Sequence, residues 1–311
     1  MKKNYLIIFL LFGFITSNSQ IRTKTEYVDY MGYERSYEIF VPGNYTVQKK
    51  YPVVFVLHGG GGQAKGLIRN TRGRFNELAE RDSFIVVYPN GVEKSWNDGA
   101  RDTIGVARKL NINDVGFFEE MIDDLQQKYS INSNLVFACG ISNGGFMVQR
   151  LAFELSDKIK GIGVVAANLS VVQSEKKFPT NPVPAIFING TDDPLVPFEG
   201  GHVTVFNKKR GEILSVEESI ETWKKINDCK QNKGVYHFHD TNKTDRCTAI
   251  KTTWQNQENP KIKVVAIKIE NGGHTWPGTK QYLPRKLVGN TNYDFNGCDE
   301  IWNFFKSISK N

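Results

Sequence analysis

The run Cys139-Gly140-Ile141-Ser142-Asn143-Gly144-Gly145 spells Gly-x-Ser-x-Gly between an apolar stretch at 135–139 and a helix-forming stretch at 146–155. In that context a sharp strand-to-helix turn lifts a serine hydroxyl above a sheet edge, with glycines where side chains have no room. The helix that follows aims unpaired backbone N–H groups at developing negative charge. The chemistry this suits is nucleophilic attack by Ser142 on a carbonyl. Such a serine needs a base, an acid that orients the base, and N–H donors for the oxyanion. Histidine is the expected base, because its ordinary pKa of about 6.5 lets it accept and return a proton near neutrality. Of His237, His239 and His274, all well beyond Ser142, His274 lies in a Gly/Pro-rich loop, Gly272-Gly273-His274-Thr275-Trp276-Pro277-Gly278, directly after an apolar run at 264–269. A loop at a strand end is the natural place for a catalytic imidazole. His237 and His239 alternate by two on an expected strand. With no third or fourth ligand evident, they read as a strand face, and no metal site is expected.

The acid is expected on the loop after the strand at 183–188, in Asn189-Gly190-Thr191-Asp192-Asp193-Pro194. Asp193 is favoured over Asp192, since Pro194 holds the residue before it extended. Two backbone donors are expected for the oxyanion. One is Asn143, the residue after the nucleophile. The other lies in His58-Gly59-Gly60-Gly61-Gly62, after the apolar run at 53–57, with Gly60 preferred and Gly61 next. Four successive glycines are costly in chain entropy, so a backbone that curls close to a ligand explains them. His58 is read as a structural partner of that loop.

These residues need a frame that brings them to one edge. Apolar runs at 37–41, 53–57, 85–88, 135–139, 159–166, 183–188 and 264–269 read as strands. Stretches at 74–81, 117–129, 216–226 and 300–308 read as helices. This alternation predicts an α/β architecture, a mostly parallel sheet with helices on both faces. Long loops at 89–113, 198–214 and 276–296 carry Trp96, Phe198, Trp276 and Tyr282. Trp96, Phe198 and Trp276 are expected to line a substrate cleft. Only about fifteen residues separate the strands ending near 166 and starting at 183, so the lid is expected to be minimal and the cleft open.

The 311 residues suit one large catalytic domain at 20–311 behind a secretory signal at 1–19, where Lys2 and Lys3 precede an apolar stretch and small residues. The expected location is therefore secreted or periplasmic, with no membrane anchor once the signal is removed. Export permits disulfides, and Cys229 is expected to pair with Cys247 across a polar stretch, while Cys139 reads as a buried free thiol. The net charge of +7 forms no dense Lys/Arg stripe interleaved with aromatics, so nucleic-acid binding is not expected.

Taken together, Leu57-His58-Gly59-Gly60-Gly61-Gly62, Trp96-Asn97-Asp98-Gly99, Asn113-Asp114-Val115-Gly116-Phe117, the Ser142 turn, Gly190-Thr191-Asp192-Asp193-Pro194-Leu195-Val196-Pro197 and Gly272-Gly273-His274-Thr275-Trp276-Pro277-Gly278 resemble the polyhydroxybutyrate depolymerase family. That family overlaps the feruloyl and acetylxylan esterases of carbohydrate esterase family one. The resemblance covers nearly all of residues 20–311. It departs at Gly60-Gly61-Gly62, where the family often has Cys then Gly-Gln. It implies an α/β-hydrolase fold, nucleophile Ser142, acid Asp193, base His274 and no metal or organic cofactor. The substrate it implies is a small or polymeric ester of hydroxybutyrate, ferulate or acetate. A serine peptidase of the same fold and a catalytically silent carbohydrate-binding homologue are the alternatives.

Overall fold

Strand-forming runs flanked by amphipathic helices resolve, in a computed structural model that describes residues 23–101, 105–205 and 208–309, into a mixed sheet covered on both faces. The strands in chain order are β1 (Lys24–Tyr30), β2 (Tyr33–Phe40), β3 (Tyr51–Leu57), β4 (Ile85–Pro89), β5 (Ile131–Ile141), β6 (Ile162–Val165), β7 (Ala185–Gly190), β8 (Gly201–Val205), β9 (Lys208–Ile213), β10 (Gln231–His237), β11 (Thr248–Gln255) and β12 (Lys263–Glu270). Among the described residues ten of them form one sheet in the order β1-β2-β4-β3-β5-β6-β7-β12-β11-β10. From β4 to β12 every pairing is parallel, and the strands outside are antiparallel. The expected signal segment at 1–19 lies outside the described residues.

Strand β3 shows how the sequence makes two core layers. Val53, Phe55 and Leu57 pack on one side with Phe117, Phe118, Met121, Met147 and Leu151. Val54 and Val56 pack on the other with Phe75, Leu78, Ala79, Ile301, Trp302 and Phe305. Alternate residues of a strand point to opposite faces, so a continuous apolar run is what burial on both faces demands. The covering helices obey the complementary rule. Helix Asp114–Lys128 buries Phe117, Phe118, Met121, Ile122 and Leu125, a three-to-four-residue spacing that makes one apolar stripe. Its first turn is capped by Asn113, whose side chain accepts from Gly116 N–H at 3.0 Å. No helix among the described residues is long and apolar enough to cross a membrane.

Two expectations about elements change. The segment 198–214 holds the antiparallel hairpin β8–β9 rather than an open loop. Lys208-Lys209-Arg210-Gly211-Glu212 gives no apolar alternation by which to recognise it. His239 falls beyond β10, which ends at His237.

The expected Cys229–Cys247 disulfide is also corrected: all four cysteines are free. Cys229 packs into the core layer on one face of the sheet, Cys247 into the layer on the other. The hairpin between them pairs Gln231 with Gln255 and His237 with Ile250, so the two thiols sit at opposite ends of it. Strand rise sets that separation at roughly 20 Å, against the 7 Å limit between Cα atoms that a disulfide tolerates.

Candidate active site

Parallel pairing carries the carboxyl ends of β3, β5, β7 and β12 to one edge of the sheet. Ser142 follows the end of β5 immediately and adopts φ 56°, ψ −125°, a backbone strained for a residue with a side chain. Its N–H donates to Val165 O at 2.9 Å, and its carbonyl accepts from Phe146 N–H at 2.9 Å, opening helix Asn143–Glu154. The flanking glycines are required by contact. A Cβ on Gly140 would stand 2.6 Å from the Gly144 carbonyl, and one on Gly144 would stand 2.6 Å from the carbonyl oxygens of both Leu57 and His58. The second contact locks the serine turn against the end of β3.

His274 reaches this edge from the far side. Strands β5 and β12 are separated by β6 and β7, which puts their axes about 14 Å apart. The loop after β12 folds back over the tip of β7: Thr191 N–H donates to Ile269 O at 2.9 Å and Asp192 N–H to Gly272 O at 2.8 Å. The imidazole is buried, and its Nδ1 lies 2.7 Å from Asp193 Oδ2. A carboxylate only accepts, so Nδ1 carries a proton, and the tautomer this selects for a neutral ring is the one with its lone pair on Nε2. The other Asp193 oxygen, Oδ1, accepts from Leu195 and Val196 N–H, each at 2.8 Å. Asp192 is exposed, and its Oδ1 meets the Thr191 hydroxyl at 3.2 Å. Tyr282 donates its hydroxyl to His274 O at 3.1 Å. Burial first, and the Asp193 charge second, push that phenol well up, so it stays protonated.

The glycine loop after β3 lies against the serine turn. A Cβ on Gly59 would stand 3.3 Å from Ser142 Cβ, and one on Gly60 would stand 3.7 Å from Asn143 Cβ. Gly61 N–H donates to Lys94 O at 2.8 Å and Gly62 N–H to Gly59 O at 3.0 Å. Gly61, the second choice for an oxyanion donor, is thereby committed elsewhere. Asn143 heads its helix, where the first N–H groups have no partner within the helix. His58 is buried, with Nδ1 2.8 Å from Gly59 O and Nε2 accepting from Gly91 N–H at 3.0 Å. Burial, helped by the Arg35 charge, lowers its pKa to about 4, so it is neutral and joins two loops.

Two expected substrate contacts are corrected. Trp96 is fully buried, donates its indole N–H to His58 O at 2.9 Å and packs beside Phe118. Trp276 is also buried, edge-on to Phe75. Trp96 belongs to the core layer on one face of the sheet and Trp276 to the layer on the other. Phe198 is half-buried, with Lys268 Nζ 5.6 Å from its ring. Sequence reasoning assigned no role to the Asn143 side chain, Asp98 or Arg108, although Asp98 stands in a quoted motif. Asp98 takes both Nε and a terminal nitrogen of Arg108. Asp114 accepts from Arg35 at 2.8 Å and from Asn97 N–H at 2.7 Å. Among the described residues no group of three or more His, Cys, Asp or Glu side chains could hold a metal ion.

The esterase family profile, described as "Putative esterase", matches residues 29–225. The chain is 29% identical over 283 residues to "Putative esterase NocK" of Nocardia uniformis, covering 88% of this chain and 79% of that protein. It is 28% identical over 178 residues to "Probable feruloyl esterase C" of Aspergillus oryzae, covering 56% of this chain and 60% of that protein. Among solved structures, the acetyl xylan esterase from Aspergillus awamori has the same fold, with a TM-score of 0.59 at 14% identity over 91% of this chain and 99% of that one.

Proposed function

Because the chain belongs to the esterase family and is a carboxylic ester hydrolase of the α/β-hydrolase fold, we propose that it works through a serine acyl-enzyme. Ser142 Oγ attacks the ester carbonyl as His274 Nε2 takes its proton, and the backbone N–H groups of Gly60 and Asn143 hold the oxyanion. Asp193 keeps the proton on Nδ1 and stabilises the imidazolium that forms. The C–O bond then breaks, His274 gives its proton to the leaving alcohol, and the acyl group remains on Ser142. Water activated by His274 releases the acid and restores the serine. The observation that carries this reading is the 2.7 Å Asp193–His274 bond at the sheet edge that also holds the strained Ser142 turn.

We assign the substrate to plant cell-wall feruloyl or acetyl esters, or to hydroxybutyrate esters. The quoted motifs and the feruloyl esterase relative support this class. Phe198, half-exposed after the acid turn, is the remaining aromatic contact we propose for it. The charged and apolar pattern at 1–19 supports export, with residues 20–311 as one catalytic unit. Ser142→Ala is expected to lower kcat on p-nitrophenyl acetate by on the order of 10⁶-fold and to abolish labelling by a fluorophosphonate, with circular dichroism unchanged. Retained turnover by that variant would refute the serine mechanism. Initial rates on methyl ferulate, acetylated xylan and hydroxybutyrate oligomers then name the ester.

A further inference from the structure

The residue after the nucleophile does more than offer its backbone N–H. Asn143 Oδ1 accepts from Trp96 N–H at 2.7 Å, while its Nδ2 donates to Trp96 O at 3.1 Å and to Asp98 Oδ2 at 2.7 Å. One amide side chain thus satisfies both backbone groups of Trp96. The same tryptophan donates its indole N–H at 2.9 Å to His58 O, the carbonyl at the start of the glycine loop. Asp98 is buried and is held in turn by the two-point contact with the partly buried Arg108. The path from Asn143 through Trp96 to His58 therefore joins the two segments that carry the oxyanion donors. Each link is a hydrogen bond between buried or half-buried groups, where bonds are strong and poorly replaced by water.

Building on the serine mechanism above, we propose that the Asn143 side chain and Trp96 are positioning residues that set the spacing between the Gly60 and Asn143 N–H groups. Gly60 has no side chain with which to anchor itself, and its neighbour Gly61 is tied to Lys94 in the segment that leads into Trp96. A donor pair gains its effect by being placed before charge develops. A strap that fixes one donor against the other supplies that placement. The side-chain hydrogen bonds of the strap go to Trp96, Asp98 and His58 and not to the Ser142 or His274 side chains, so its effect is expected in the transition state more than in ground-state binding.

The test compares kcat, KM and the affinity of phenylboronic acid, which forms a reversible tetrahedral adduct on a serine oxygen. Asn143→Ala keeps the backbone donor and removes the strap. It is expected to lower kcat on p-nitrophenyl acetate by on the order of 10- to 100-fold, to weaken the boronate by a similar factor and to leave KM within about twofold. Trp96→Phe, which removes the indole donor, should shift the same quantities in the same direction by a smaller factor. Asn143→Asp sets a carboxylate against Asp98 and should be worse than Asn143→Ala, with Asp98→Asn in that background recovering part of kcat. Unchanged kcat and boronate affinity in Asn143→Ala, or a rise in KM and a fall in melting temperature alone, would overturn the positioning role while leaving the serine mechanism standing. Failure of the wild-type protein to bind boronate, with turnover retained in Ser142→Ala, would sink both.

Discussion

Asp192 and Asp193 are chemically identical neighbours, and their environments separate them completely. Asp193 is buried with three partners, two backbone N–H groups on one oxygen and the imidazole on the other. Asp192 faces solvent. Asp193→Asn would retain the oxygen that binds Leu195 and Val196 but present an N–H₂ to His274, forcing the proton to the wrong ring nitrogen. We expect kcat to fall by on the order of 10⁴-fold near neutral pH. Asp192→Asn should leave it within about twofold. Steady-state rates on one aryl ester decide this, and equal losses in the two variants would move the acid assignment.

At the level of elements, the site is a junction of loops, and His58 is the pin between two of them. Its neutral ring accepts from Gly91 on one side and meets Gly59 on the other. Because burial lowers its folded pKa to about 4, below the ordinary 6.5, the unfolded chain binds a proton that the folded one refuses. The stability that His58 contributes is therefore fully present above about pH 6.5 and is lost as pH falls from there to about 4. The loss amounts to about 3 kcal/mol in all. His58→Gln carries no titrating group, so its urea midpoint should fall less between pH 7 and pH 4.5 than that of the wild type. Parallel declines would mean that His58 is not held neutral. The sign matters for the proposed function as well, since a charged His58 would set its Nε2–H against Gly91 N–H and loosen the loop that carries Gly60.

Across the whole molecule, the two core layers on either face of one sheet leave little for cross-links to do. Cys139 and Cys298 are fully buried in the same layer, and burial pushes both thiols well above their ordinary range. The Cys229 and Cys247 thiols are pushed up to about 11 and about 12, again chiefly by burial. Thiolate is the reactive form, so these buried groups resist oxidation, and Cys229 and Cys247 also lie far apart. Dithiothreitol should leave the melting temperature unchanged, and a thiol reagent should find four groups in denaturant and few in the native state. A drop in melting temperature on reduction would require a disulfide between thiols that are free in this structure.

What could be read along the chain is what depends on neighbours in sequence. The turn at Ser142 declares itself because Gly140 and Gly144 stand where a Cβ would strike backbone 2.6 Å away. The α/β class was legible because both faces of the sheet are covered, which forces continuous apolar runs such as 53–57. Helix Val216–Ile226 stands where its periodicity put it, capped by Ser215 and Glu218. What only the tertiary structure decided depends on strand order and side-chain direction, which no local spacing encodes. Strand order brings the loop after β12 back over β7, so that Asp193 rather than Asp192 meets the imidazole. Packing direction turns Trp96 and Trp276 inward, because aromatic residues in a loop look the same in sequence whether they meet core or solvent. The Cys229–Cys247 pairing fails for the same reason. Eighteen positions apart in the chain is compatible with a disulfide, but an intervening hairpin holds its ends roughly 20 Å apart and on opposite faces of the sheet.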